Sequence, residues 1–172
     1  MTAFTTHSPE ETAALGQAVG TCAIAGDVLV LCGDLGAGKT VFAKGVAAGL
    51  DIPPDTVQSP TFTIAHTYEG RLPLLHSDLY RLETPAELAA IGFADMIDEA
   101  TGVCLVEWGD RFPEALPPDA LWCTFTAPDS AETPTLAETS TPAENTRVIA
   151  CRATGPAALR LLANLRERSS SA

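Results

Sequence analysis

Residues 33–40 read GDLGAGKT, a match to G-x-x-x-x-G-K-[ST], and this octapeptide narrows the fold more than any other stretch of the chain. Its flanks agree with it. Val28 to Cys32 is a continuous apolar run, as suits a strand covered on both faces of a parallel sheet, and Val41 to Leu50 resumes a helical pattern with Gly49 near its end. Strand, glycine loop and helix, in that order, are what a phosphate-binding loop requires. Gly33, Gly36 and Gly38, with Asp34, Leu35 and Ala37 between them, let successive backbone N–H groups curl around a β-phosphate, and the helix points its positive end at it. Lys39 then reaches the β and γ oxygens, and the Thr40 hydroxyl is placed to ligate Mg²⁺, which needs hard oxygen donors. A plain glycine-rich turn is the rival reading, and the strand before it and the helix after it weigh against that.

A chain of 172 residues has room for one compact unit, and 46% hydrophobic residues with a mean hydropathy of +0.15 supply a core. We therefore expect a single domain over 1–172. Ten basic against 22 acidic residues give a net charge of −12, which repels phosphate backbones and disfavours direct binding of RNA or DNA. Cys22, Cys32, Cys104, Cys123 and Cys151 are odd in number, widely spaced and mostly set in apolar runs, so they read as reduced core residues. With no basic residue ahead of an apolar stretch near the start, and no run of the roughly 18 apolar residues a membrane span needs, the expected location is the cytoplasm, with no membrane contact.

Ser8-Pro9-Glu10-Glu11 opens a helix whose apolar face is expected at Ala14, Leu15, Ala18, Val19 and Cys22. From Pro60 the period changes to two, with Phe62, Ile64, His66 and Tyr68 on one face, and Leu72 to Asp78 supplies the second arm of a hairpin. Thr84-Pro85-Ala86-Glu87 repeats the capping arrangement. Val103 to Val106, Leu121 to Thr126 and Arg147 to Cys151 read as strands, and Pro156 to Arg168 as a final helix. The stretch 128–145, rich in Pro, Thr, Ala and acid, reads as a mobile loop.

Glu107 ends the Val103–Val106 run, the place of the acid that holds Mg²⁺ or its water opposite a phosphate loop; a surface glutamate is the alternative. Trp108 is a core aromatic or a lid near the nucleotide. Asp78 shares a strand face with His76, and an acid among apolar neighbours needs a cation, a metal shell or donors. It is either catalytic or paired with Arg81. Thr61 lies where nucleotide switches place a threonine on Mg²⁺ or the γ-phosphate, and by its own pattern is an ordinary strand residue.

Taken together, GDLGAGKT (33–40), SPTF (59–62), HSDLYRL (76–82) and LVEW (105–108) resemble, in order and interval, the TsaE family of bacterial P-loop ATPases. The match runs from about Glu11 to Arg111. The resemblance implies an α/β P-loop fold with a mixed parallel and antiparallel sheet flanked by helices. It also implies an ATPase that works with the TsaB and TsaD proteins in forming threonylcarbamoyladenosine beside the anticodon of tRNAs reading codons that start with A. ATP, with ADP as product, and Mg²⁺ are the implied cofactors, and tRNA is reached only through the complex. Carried over by position, Lys39 and the loop glycines hold phosphates, Thr40 and Glu107 hold Mg²⁺, Thr61 belongs to the first switch and Asp78 is the essential acid. Trp108 and Arg111 lie near the nucleotide and Thr12 beside the adenine. The stretch 128–145 departs from the family pattern.

A small-molecule kinase shares the loop but needs cations over the transferred phosphate; this chain has two lysines, Lys39 and Lys44, and scattered arginines. A GTPase lacks support without an N-K-x-D motif. A nucleotide-gated scaffold without turnover is the non-enzyme alternative, against which Asp78 and Glu107 argue. The leading reading is an ATPase, slow alone and activated by its partners.

Overall fold

Ser8 accepts a hydrogen bond from the Glu11 amide at 3.1 Å and, with Pro9 at the first helical position, starts helix α1 (Pro9–Cys22) where the capping signal places it. The computed structural model describes residues 1–127 and 146–169; the stretch 128–145, expected as a mobile loop, lies outside the described residues. A strand that the sequence reading did not include, β1 (Thr2–Thr6), precedes α1. The buried face of α1 is formed by Thr12, Gly16, Val19 and Gly20, while Ala14 is exposed. The cause is its neighbour α2 (Lys39–Gly49), which crosses so close that a Cβ on Gly16 would stand 2.3 Å from the Phe42 carbonyl oxygen and one on Gly45 2.1 Å from that of Ala13. Gly20 and Gly49 make the same kind of contact one turn on, so backbone rather than side chains fills the crossing.

In chain order β2 (Val28–Cys32) joins the two helices; it is buried at every residue and pairs in parallel with β5 (Val103–Glu107) and β6 (Leu121–Thr126). The expected hairpin forms from β3 (Ala65–Tyr68) and β4 (Leu74–Asp78), with β4 in turn parallel to β5. Its first arm is shorter than the alternation predicts. The Pro60 carbonyl captures the amides of Thr63 and Ile64 at 3.0 and 2.6 Å, groups a strand would give to a neighbour, and Ile64 takes a left-handed φ of 67°. Thr61 therefore sits in a turn and not in a strand.

Helix α3 (Pro85–Ala90) has both halves of its capping box, and α4 (Phe93–Asp98) follows it. β7 (Arg147–Ala153) is antiparallel to β6 and to β1, and α5 (Pro156–Ser169) closes the described chain. The Asp119 carboxylate caps α5, accepting from the amides of Ala157 and Ala158 at 2.9 and 3.0 Å. The sheet order is β1-β7-β6-β2-β5-β4-β3, a parallel centre with antiparallel edges, the mixed sheet that the family resemblance implies.

Leu29 and Leu31 of β2 face a core shared with α1, α2 and α5, and Val28, Val30 and Cys32 face a second one with α3, α4 and Phe112. Arg71, in the hairpin turn, ties this frame together. Its guanidinium donates to the carbonyls of Gly20, Thr21 and Ala23 at the end of α1 and, at 3.2 Å, to that of Gly49 at the end of α2. All five cysteines are free thiols, and burial raises Cys32 to about 12 and Cys104 to about 11, out of reach of thiolate chemistry at neutral pH. No helix among the described residues is long and apolar enough to cross a membrane.

Candidate functional site

The parallel strands β2, β4 and β5 end side by side, and an open α/β sheet gathers ligands at that edge. β2 delivers the glycine loop, β4 Asp78 and β5 Glu107. Asp78 and Glu107 are register partners, and they are only 3% and 2% exposed. Two carboxylates set side by side out of water need positive charge beside them. Around them lies a cleft of about 390 Å³ lined by Leu35 to Val41, Ser59, Thr61, Asp78, Tyr80, Glu107 and Trp108.

Gly33, Gly36 and Gly38 take φ values of 129°, 78° and 104°, a conformation that side chains disfavour and that curls the loop. Gly38 is the N-cap of α2 and offers no side-chain acceptor, which leaves the first amides of the helix open to an anion. Lys39 is 5% exposed; its Nζ donates to the carbonyls of Gly33 and Asp34 at 2.5 and 2.8 Å and lies 3.8 Å from the Trp108 ring centroid. Burial lowers the Lys39 pKa from the ordinary ammonium value, and Glu107 and Asp78 oppose that shift. Trp108 is held over the lysine by a left-handed backbone, φ 62°, and by a tilted ring contact with Tyr80, centroids 4.9 Å apart.

Glu107 accepts from the Thr40 hydroxyl at 3.3 and 3.2 Å on its two oxygens, and from His76 Nε2 at 2.9 Å. Asp78 accepts from Ser59 Oγ and Thr61 Oγ1, both at 2.6 Å on Oδ2, and from the Tyr80 amide at 2.9 Å on Oδ1. The strand end is thus not closed by an Asp78–Arg81 pair; the Arg81 guanidinium lies over the Phe62 ring at 4.1 Å. Asp78 instead fastens the Ser59–Ile64 turn to the site, and its own amide holds that turn's far end by donating to the Ile64 carbonyl at 2.8 Å.

The structure brings Lys39, Thr40, Thr61, Asp78, Glu107 and Trp108 together with the loop residues Leu35, Gly36, Ala37 and Gly38, while Gly33 and Asp34 enter through their carbonyls. Thr12 and Arg111 do not line the cleft. Thr12 is 2% exposed, shares a 2.8 Å hydrogen bond with Thr6, and packs its methyl behind Gly38. Arg111 donates to the Leu82 carbonyl at 3.1 and 2.8 Å. The sequence reading gave no site role to Ser59, His76, Tyr80 or Arg147, whose Nε donates to the Ala37 carbonyl at 3.2 Å. His76 was legible as Asp78's neighbour on one strand face; Arg147 had no local signal, since 110 residues separate it from Ala37.

A P-loop nucleotide-binding protein is the class that this sheet, loop and pair of acids define. The model of the family described as "Threonylcarbamoyl adenosine biosynthesis protein TsaE" matches residues 6–134. The chain belongs to that family, whose role is in tRNA threonylcarbamoyladenosine biosynthesis, as the four-motif resemblance implied. The tRNA threonylcarbamoyladenosine biosynthesis protein TsaE of Bacillus subtilis strain 168 is 49% identical over 117 residues, 67% of this chain and 72% of its own. The protein of the same name from Treponema pallidum strain Nichols is 45% identical over 111 residues, 64% and 81%. The crystal structure of Bacillus subtilis YdiB superposes with a TM-score of 0.73 at 35% identity, covering 98% of this chain and 95% of that one.

Proposed function

We propose that the chain is a cytoplasmic, Mg²⁺-dependent ATPase that supports a TsaB–TsaD complex in forming threonylcarbamoyladenosine on tRNA, hydrolysis resetting the complex between rounds. The observation that carries the reading is the registered Asp78–Glu107 pair at the head of the glycine loop, facing Lys39 and Thr40. A loop that only parked a nucleotide would not need two carboxylates where the phosphates' own negative charge arrives.

The donor set fits magnesium. Thr40 and Glu107 offer hard oxygens, and among the described residues no cluster of three His, Cys, Asp or Glu builds an all-protein cage. A site of one or two oxygen ligands completed by phosphate and water is the kind magnesium takes. Bound there, the ion would neutralise charge on the β and γ phosphate oxygens. Thr40 and Glu107 would hold it. The loop amides and Lys39 would cradle the phosphates, Lys39 exchanging its two carbonyl acceptors for phosphate oxygens. Asp78, with Thr61 and Ser59 on one of its oxygens, would align the attacking water, and Trp108 with Tyr80 would wall the cleft against solvent. Thr12 would act from behind Gly38, keeping the loop in shape on the side toward the base, and Arg111 would brace the Leu82 segment.

Phosphate release from Mg²⁺-ATP, alone and with TsaB, TsaD and substrate tRNA, tests the reading. Slow release that both partners raise, and repeated rounds of modification that stop when ATP is replaced by a non-hydrolysable analogue, are expected. Modification sustained by the analogue would assign the chain to the scaffold class.

A further inference from the structure

We propose that His76 is the positioning residue of Glu107: its Nε2–H fixes the carboxylate toward Thr40 and the head of the phosphate loop. The imidazole is wholly buried, and Nε2 stands 2.9 Å from Glu107 Oε1. An ionised carboxylate only accepts, so the proton in this contact is carried by Nε2. The other ring nitrogen, Nδ1, is buried with no hydrogen-bond partner. A leucine at this place would fill similar space and leave no polar atom unsatisfied, so the imidazole is a poor filler of the core and its one polar contact is with the acid.

Strand geometry explains the reach. Leu74, His76 and Asp78 share one face of β4, and Leu105 and Glu107 share that face of β5, with His76 opposite Leu105 and Asp78 opposite Glu107. The ring crosses diagonally to the acid while Asp78 keeps its own three donors. Glu107's other donor, the Thr40 hydroxyl, is more distant at 3.2 Å, and its oxygen is the atom offered to a metal. Outer partners of this kind orient a ligand, and their loss typically weakens metal affinity by about 10- to 100-fold. The inference rests on the ATPase reading only for what Glu107 is held to do.

Two measurements test it, and neither needs turnover. In ¹⁵N-histidine NMR spectra of the free protein, His76 should show the Nε2–H form, with a resonance that moves in Glu107→Ala; an Nδ1–H form would overturn the assignment. ADP affinity with and without Mg²⁺ is the second. His76→Leu should lose about tenfold of the affinity that Mg²⁺ adds while its metal-free affinity stays within about twofold, and His76→Gln, which keeps a donor near the Nε2 position, should recover most of the loss. Should His76→Leu keep the full Mg²⁺ gain while Glu107→Ala loses it, His76 is a packing residue and only the positioning role falls. If Glu107→Ala also keeps the full gain, the metal-facing role of Glu107 falls, and the positioning role with it.

Discussion

Lys39 concentrates the electrostatics of the site at a single atom. Its ammonium is buried, shares two backbone carbonyls and an indole face, and has two carboxylates near it, so it is held in place before any ligand arrives. Lys39→Ala should therefore weaken ATP and ADP binding by about 100-fold, the loss of one or two charge-assisted contacts, in a chain that still folds but melts lower because Asp78 and Glu107 lose the cation beside them. Calorimetric titration beside a melting curve checks it. Because burial lowers the pKa of Lys39, the folded chain holds this proton less tightly than the unfolded one. Lys39's contribution to stability should thus rise as pH climbs from the lowered value toward the ordinary 10.5, whereas nucleotide affinity should fall over the same window as the ammonium is lost. Asp78 poses a different question, since it both fastens Ser59 and Thr61 and stands in the cleft. Asp78→Asn keeps one acceptor oxygen for the two hydroxyls, gives up the contact with the Tyr80 amide and removes the charge. If the charge acts on water, turnover should drop by at least about 100-fold with nucleotide affinity within a few-fold. Turnover close to wild type in Asp78→Asn would make the residue a fastener of the turn.

At the scale of elements, the crossing of α1 and α2 sets the loop, because α2 begins at Lys39 and its direction is fixed by the glycines beneath it. Helix propensity alone predicts that Gly16→Ala stabilises by about 1 kcal/mol. A Cβ 2.3 Å from the Phe42 carbonyl oxygen reverses the sign, and Gly16→Ala or Gly45→Ala should destabilise by roughly 2–4 kcal/mol in urea unfolding, with lowered nucleotide affinity as α2 is pushed outward. Arg71→Ala should cost about 1–3 kcal/mol, because one guanidinium satisfies carbonyls at the ends of both helices, and Arg71→Lys should restore less than half, since an ammonium cannot present donors over the same span. The sequence made legible several elements that depend on near neighbours: the capped starts of α1 and α3, the apolar β2 and β5, the hairpin and the glycine loop all rest on signals within a few residues. It did not reveal β1, whose five residues become a strand only by pairing with β7 across some 145 positions. Nor did it show that α1 would bury Gly16 and Gly20 ahead of Ala14, since the partner glycines lie on another helix. The alternation through Phe62 and Ile64 misled for a physical reason too, as a proline carbonyl took the amides that a ladder needs.

Across the whole molecule, charge decides how the chain can meet a tRNA. A net charge of −12 with eight arginines spread along the sequence disfavours tight docking on a phosphate backbone, and under the proposed function the free energy of tRNA docking would come from other subunits. The chain instead exposes Leu35 at 77%, in the cleft lining on the phosphate loop, and Phe62 at 82%, on the turn that carries Thr61. That turn is fastened to the site by the Ser59 and Thr61 hydroxyls and by a strained Ile64, which makes it the segment whose position a partner packing on Phe62 would control. Turnover by the chain alone should accordingly be slow. Adding TsaB and TsaD should raise it, and Thr61→Ala should blunt the rise while sparing nucleotide binding, because the threonine acts on Asp78 and not on the phosphate cradle. Deleting part of the stretch 128–145 should leave both behaviours intact, as a polar, acidic segment with no aromatic residue has little to offer either core or cleft. Steady-state phosphate release with each partner singly and together, and tRNA binding by the chain alone at two salt concentrations, are the measurements. Submicromolar, salt-sensitive tRNA binding by this chain, or turnover indifferent to both partners, would sink the partner-activated scheme and leave a stand-alone enzyme in its place.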